Sequence, residues 1–185
     1  MIYPKKYILS MVAIILILPL FLFKGWNLNY CAEKGDRENN VLVRMDKSKI
    51  RPDDGDTFFY KDIIIRILGI DTPEIIHKEH GIFEDQPYGR NAAKMTISLL
   101  KNANLVEYLP FKEDYYGRLL AHVFVDEKLL SVHLINAGLA YETVSYFGDN
   151  GFPDIAEKIL QTAENSPKPA FEKPYKWRRK HQVKK

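Results

Sequence analysis

The sequence predicts an α+β domain in which five short strands form a small, partly open β-barrel flanked by three helices. Two observations support this prediction. From residue 41 onward, short runs rich in β-branched and aromatic residues alternate with polar turn segments. One helical pattern follows the third run, and two more follow the fifth.

The strands follow in order along the chain. "VLVRM" (41–45) is the first, and a loop through Pro52 leads to "DDGD". "TFFYKDIIIRILGI" predicts a hairpin that turns near Tyr60, Lys61 and Asp62. "LVEYL" (105–109) and "LLAHVFVD" (119–126) are the last two strands, separated by polar residues. A five-stranded barrel of this size is of the OB type.

Each helix has its own signal. "YGRNAAKMTISLLKNAN" places Ala92, Met95, Leu99 and Ala103 at helical spacing. A second helix begins at Leu130 and ends before Gly138, because glycine favours the C-terminal cap. A third begins at Pro153 and carries one apolar face, formed by Ile155, Ile159 and Ala163.

The N-terminal residues are of another kind. Residues 1–24 hold an apolar run between Lys6 and Lys24, which predicts an uncleaved signal anchor or, second, a cleaved signal peptide. The lysines before the run would stay in the cytoplasm, so the remainder is expected to be exported and anchored at the membrane, or secreted. A buried core helix is the less favoured alternative. We expect a linker over 25–40, a folded domain over 41–179 and a basic tail over 180–185.

Composition bounds the function only loosely. The chain has 185 residues, of which 46% are hydrophobic and 28% charged, as in a folded domain of ordinary size. A net charge of +3 is compatible with a polyanionic partner. The single cysteine excludes an intrachain disulfide and a cysteine-rich zinc site.

Two carboxylates are predicted to meet across the hairpin. Asp56 begins its first strand and Asp71 ends the antiparallel neighbour. Adjacent carboxylates repel each other and need a cation between them. Oxygen ligands on loops, without a nearby His or Cys, favour a hard ion such as Ca²⁺.

Three more charged residues suggest phosphate chemistry. Arg66 leads into Asp71, and Arg118 follows a glycine turn in "DYYGR"; two guanidinium groups can clamp a phosphodiester. Glu74 could then accept a proton from an attacking water. The alternative for each arginine is a surface ion pair, which contributes little.

"DGDT", "RILGIDTPE" and "YGR", in this order, resemble the staphylococcal nuclease family. The resemblance covers about residues 41–179 and includes "YGRNAA", "LINAGLA" and "PYKWRR". It implies an OB barrel with a Ca²⁺-dependent nuclease site that cleaves DNA and RNA to 3′-phosphate ends. Nucleic acid is the implied partner, and no obligate protein partner is implied.

The resemblance also implies roles for individual residues. Asp56 and Asp71 would ligate calcium through side chains and Thr72 through its carbonyl, with Asp54 supporting them. Arg66 and Arg118 would clamp the phosphate, and Glu74 would act as general base. Tyr116 and Tyr146 would contact the substrate. Departures from the family pattern at Tyr115 and Val144 leave the details of these substrate contacts open, whereas the departure at Asn91 concerns packing.

Two other functions stay open. One is an inactive OB module that binds single-stranded nucleic acid at the membrane by stacking and charge. The other is an export-linked adaptor that uses the barrel only for protein contacts. The intact carboxylates argue against the first, since binding a polyanion gains nothing from added negative charge.

Overall fold

The structure is a computed structural model, which describes residues 41–183. This part of the chain forms nine strands: β1 (Val43–Arg44), β2 (Ile50–Pro52), β3 (Thr57–Tyr60), β4 (Ile63–Ile67), β5 (Ile70–Asp71), β6 (Val106–Glu113), β7 (Leu119–Val125), β8 (Lys128–Leu129) and β9 (Tyr141–Glu142). The helices of the same part are α1 (Gly89–Asn102), α2 (Leu130–Asn136), α3 (Val144–Phe147), α4 (Pro153–Asn165) and α5 (Pro174–His181).

Seven of these strands form one curled, mixed sheet in the order β1-β6-β7-β4-β3-β2, with β8 paired to β7. The β4–β7 pair is parallel, and the other pairs of this sheet are antiparallel. The chain from β1 to β2 pairs with β6 through its first part and with β3 through its second. This single segment therefore bridges the two ends of a half-barrel.

The α+β, OB-like prediction is confirmed, although the described residues form nine strands where five were predicted and five α-helices where three were predicted. The predicted loop through Pro52 contains β2, and its proline is tolerated because β2 is an edge strand. A separate two-stranded sheet pairs β5 with β9. Strands of only two or three residues are too short to be recognised from hydrophobic periodicity.

The predicted hairpin is present. Tyr60 pairs with Ile63, so Lys61 and Asp62 form a two-residue turn, with Lys61 at a φ of 52°. The predicted end of α2 is also present, as a Schellman cap. Gly138 donates its N–H to Ile135, and the next N–H is donated to the carbonyl of Leu134.

The core lies between the concave face of the sheet and the helices α1, α2 and α4. Phe58, Ile65, Leu100 and Ile159 are fully buried there. Their burial supplies the apolar contact that fixes the helices on the sheet. Within residues 41–183, no helix combines the length and the apolar character that crossing a membrane requires. The predicted signal anchor and linker lie outside the described residues.

The buried face of α1 differs slightly from the predicted one. Ala92 is buried as predicted, while Met95 and Leu99 are partly buried at its margin. Thr96 is 1% exposed, because its hydroxyl donates to the carbonyl of Gly55 at 2.5 Å. The structure thus uses a polar residue of α1 to hold the loop before β3.

Candidate active site

The outward face of the β3–β4 hairpin forms the floor of a cleft. Successive side chains of a strand point to opposite faces, so Ile65 enters the core while Ile64 and Arg66 point away from it. Across the hairpin Thr57 pairs with Arg66, and Phe59 pairs with Ile64. These outward side chains line a cleft of about 470 Å³. The strand alternation therefore explains how the side chain of Arg66 reaches the cleft from an otherwise apolar strand.

The loop before β3 is held by Asp54. Its Oδ1 accepts hydrogen bonds from the backbone N–H groups of Asp56 at 3.0 Å and Thr57 at 2.7 Å. At Gly55, a Cβ atom would lie 2.7 Å from the Cβ of Ala92, so only glycine allows the loop to approach α1 this closely. Asp54 thus supports the backbone that carries Asp56.

Asp56 and Asp71 both contact the guanidinium group of Arg66. Arg66 forms ion pairs with Oδ1 of Asp56 and, at 3.2 Å, with Oδ1 of Asp71. The other oxygen of Asp56 accepts from the backbone N–H and the hydroxyl of Thr72, at 2.7 and 2.8 Å. The two carboxylates are therefore brought together as predicted, but Asp71 lies on β5, which pairs with β9, and not on the hairpin strand β4, which ends at Ile67. The guanidinium places a positive charge between them.

Glu74 continues this arrangement. Arg178, on α5, forms an ion pair with Oε1 of Glu74 and contacts both carboxylate oxygens of Asp71 at 3.3 Å. Asp56, Arg66, Asp71, Arg178 and Glu74 thus alternate in sign, and we call them the charged row. Such alternation offsets the cost of placing carboxylates side by side in a poorly hydrated site.

Burial shifts several pKa values in the charged row and beside it. Burial raises the pKa of Glu74, and Arg178 opposes that rise only in part. Burial likewise raises the pKa of Asp54 and lowers that of Arg66. At Arg178 burial works against the charge, but Asp71 and Glu74 outweigh it and raise the pKa. A carboxyl group with a raised pKa is better suited to accept a proton near neutral pH.

Arg118 reaches the same cleft from the β6–β7 turn. Gly117, at a φ of 76°, closes this turn, and Asp114 accepts from the backbone N–H of Arg118 at 3.0 Å. The guanidinium of Arg118 forms an ion pair with Asp114 at 2.7 Å and lies 5.5 Å from the ring centre of Tyr116. Arg118 therefore faces the cleft while paired with its own turn.

The aromatic residues lie differently. Tyr116 lines the cleft and is 77% exposed, with its ring against that of Tyr115. Tyr146 is 84% exposed on α3, beside Phe147 and outside the lining of the cleft. The structure thus gathers eight of the predicted site residues around the cleft and the charged row, and places Tyr146 apart from them.

Comparison with known proteins identifies the family. A family model described as "Staphylococcal nuclease homologue" matches residues 64–168, more than half of the chain. The chain belongs to this family.

Individual relatives agree with that assignment. The chain is 36% identical over 92 residues to a thermonuclease of Staphylococcus intermedius, covering 47% of this chain and 53% of the relative. It is 35% identical over 96 residues to a thermonuclease of Staphylococcus hyicus, covering 49% and 55%. It is 38% identical over 95 residues to endonuclease YncB of Bacillus subtilis (strain 168), covering 47% and 43%. The chain spans about half the length of the curated thermonucleases it matches.

The donor set around Asp56 suits a hard cation. Carboxylate oxygens of Asp56 and Asp71 flank one positive charge, and the carbonyl of Thr72 follows directly in the chain. Oxygen donors alone are the ligands that Ca²⁺ prefers. Within residues 41–183 no three His, Cys, Asp or Glu side chains are gathered into a ready metal site. Calcium held by the carboxylates of Asp56 and Asp71 and by the carbonyl of Thr72 would displace Arg66 from Oδ1 of both carboxylates.

Three contributions to the site were missed by sequence reasoning. Arg178 lies near the C-terminal end of the predicted domain, in "PYKWRR", where no site role was predicted. Gln86, 1% exposed, accepts from the N–H of Glu74 at 3.2 Å. Gly89 begins α1 against the carbonyl of Glu74, where a side chain would collide. The sequence did contain one signal for Arg178, the aromatic residue next to it in "KWRR". Trp177 is buried and fixes α5.

Proposed function

We propose that this chain is a Ca²⁺-dependent nuclease that hydrolyses phosphodiester bonds of DNA and RNA and leaves 3′-phosphate ends. One observation carries the proposal: Arg66, Glu74 and Arg118 line a single cleft. Arg66 forms an ion pair with Asp56 there, and Glu74 forms one with Arg178. The nature of the ends and the use of both nucleic acids rest on family resemblance.

The side chains of the cleft suit in-line attack of water on phosphorus. The carboxylate of Glu74 orients the water and accepts its proton as the new P–O bond forms. The bond to the 5′-oxygen then breaks, which leaves the phosphate on the 3′ side; the departing oxygen takes a proton from solvent water. Calcium bound by Asp56, Asp71 and the carbonyl of Thr72 would supply positive charge to a phosphoryl oxygen.

The arginines act on the phosphate. A guanidinium offers two parallel N–H donors to phosphate oxygens, and two such groups offset the charge that accumulates during attack. Arg66 is held by Asp56 and Asp71, and Arg118 is held by Asp114. Substrate phosphate would replace part of these contacts. The carboxylates thus keep both guanidinium groups oriented before calcium and substrate arrive.

The relatives support the same reaction class. Two of them are named thermonucleases and one is named an endonuclease. The shared segment holds Arg66, Glu74 and Arg118, since the family match covers residues 64–168.

The site of action is a separate part of the proposal. The apolar run within residues 1–24 supports export, with the nuclease domain anchored outside the cytoplasm or secreted after cleavage. Protease added to intact cells should then remove an anchored domain, or the domain should be found in the medium. Complete protection inside intact cells would contradict export.

The test of the reaction uses the full chain with heat-denatured DNA and RNA. Acid-soluble product is followed with calcium, with magnesium, and with a calcium chelator. We expect calcium-dependent release that the chelator abolishes and fresh calcium restores. Retention of nucleic acid without release, by a folded chain, would instead favour the single-strand binding module.

A further inference from the structure

The C-terminal helix α5 is fixed onto the domain by buried side chains. Trp177 is 5% exposed, and Pro174 at the start of the helix is buried. The ring of Trp177 stacks on that of His181 at 4.5 Å and 3°. Just before the helix, the hydroxyl of Tyr141 donates to the carbonyl of Phe171 at 2.7 Å. These contacts give α5 a defined orientation.

The residues after α5 pair with the loop that follows Glu74. Val183 donates its N–H to the carbonyl of Gly81 at 2.9 Å, and Gln182 donates its amide to the carbonyl of His80 at 2.8 Å. A Cβ atom at Gly81 would collide with the carbonyl of Val183. Both ends of α5 are thus held, which leaves Arg178 in its middle with little freedom of position.

A single buried side chain joins this region to the backbone of Glu74. Gln86 accepts from the N–H of Glu74 at 3.2 Å and donates to the carbonyl of Glu172 at 2.5 Å. It is 1% exposed, so neither hydrogen bond can be replaced easily by water. The position of Glu74 and the approach to α5 are therefore set by the same residue.

Arg178 lies outside the segment that defines the family match. That match ends at residue 168, whereas α5 begins at Pro174. The guanidinium uses both terminal nitrogens on Asp71 and one of them on Oε1 of Glu74. The contact with Glu74 is made through Oε1, whereas Oε2 accepts no hydrogen bond within residues 41–183, and Glu74 lines the cleft.

We propose that Arg178 is a positioning residue of the nuclease reaction, which holds the carboxylate of Glu74 in the orientation for the attacking water. This inference rests on the proposed nuclease function. Without Arg178, the carboxylates of Asp71 and Glu74 would face each other with no cation between them on that side. Repulsion would then turn Glu74 away from its working position.

The test compares variants of the full chain by steady-state cleavage of single-stranded DNA in saturating calcium. Arg178→Ala should lower kcat about ten- to a hundredfold and leave KM within about twofold, because misplaced catalytic groups reduce turnover. Arg178→Lys keeps the charge without the planar fork and should recover part of kcat. Millimolar guanidinium should partly rescue Arg178→Ala. Arg179→Ala, at the exposed next position, should behave as the parent and show no rescue.

A second measurement does not depend on turnover. In calcium-free protein, the Arg178 side-chain N–H resonance, assigned by its loss in Arg178→Lys, should be sharp and should shift in Glu74→Gln. A resonance typical of a freely rotating, solvated guanidinium and unchanged in Glu74→Gln would overturn the inference.

The outcomes separate the two proposals. A parent that cleaves while folded Arg178→Ala keeps its kcat would overturn the positioning role and leave the nuclease function standing. A raised KM at unchanged kcat would assign Arg178 to substrate binding, and faster turnover would make it inhibitory; either would also overturn the positioning role. A folded parent without calcium-dependent cleavage would overturn both proposals.

Discussion

His122 should make the stability of the domain fall as pH falls from 8 to 5. Its ring is 3% exposed, packs edge-on against Phe152 at 5.1 Å, and finds no hydrogen-bond partner for either nitrogen within residues 41–183. Burial lowers the pKa of His122 to about 4, from an ordinary value of 6.5. The folded state therefore resists a proton that the unfolded state accepts.

The sign and size follow from proton linkage. The contribution of His122 to the free energy of unfolding is fully present above the pKa of the unfolded state. It is lost as pH falls below that value, and the loss levels off near the pKa of the folded state. The difference between the two pKa values corresponds to about 3 kcal/mol in total, of which about 2 kcal/mol is lost by pH 5. Protonation of the unfolded chain, not damage to the native contacts, causes this loss.

The assay is urea unfolding of the full chain and of His122→Leu at several pH values. Subtracting the two curves cancels the contributions of the four other histidines. These include His77, whose pKa the Asp53 hydrogen bond raises, and His133, whose pKa burial lowers. The parent should lose about 2 kcal/mol more than the variant between pH 8 and pH 5. Parallel losses in both proteins would refute the reasoning, and His122→Phe provides a second variant of larger volume.

Two further predictions concern the surroundings of the charged row. Gln86→Leu leaves the N–H of Glu74 and the carbonyl of Glu172 without their partner, so the free energy of unfolding in urea should fall by about 2–4 kcal/mol; a loss below about 1 kcal/mol would show that these groups are hydrated. Asp114→Asn keeps an oxygen acceptor for the turn but removes the ion pair with Arg118. Nucleic acid should then bind severalfold more tightly by fluorescence anisotropy, with a steeper salt dependence; unchanged affinity and an unchanged salt slope would contradict a phosphate role for Arg118.

Local signals made much of the fold predictable. The turn at Lys61 and Asp62 lies between two β-rich runs, and the glycine at 138 marks the end of α2; both are confirmed. The outward direction of Arg66 follows from strand alternation once the hairpin is known. In each case the deciding residues lie within a few positions of one another.

Long-range contacts account for what could not be predicted. Arg178 meets Glu74 across 104 residues of sequence, and Gln86 meets Glu172 across 86. No periodicity or turn signal encodes such a meeting. Thr96 is similar, because helical spacing favours its apolar neighbours for the buried face, and only the position of Gly55 explains why a threonine is buried. The roles assigned to the site residues, and export through residues 1–24, remain predictions.

The central claim is that Glu74 serves the hydrolytic step, and one measurement tests it most directly. The single-turnover rate of cleavage of single-stranded DNA is measured in saturating calcium for the parent, Glu74→Ser and Glu157→Ser. The last variant removes the same charge from an exposed position on α4. The rate should fall by about two to four orders of magnitude for Glu74→Ser and stay at the parent level for Glu157→Ser. Equal rates for all three proteins would contradict the assignment of Glu74 as the general base.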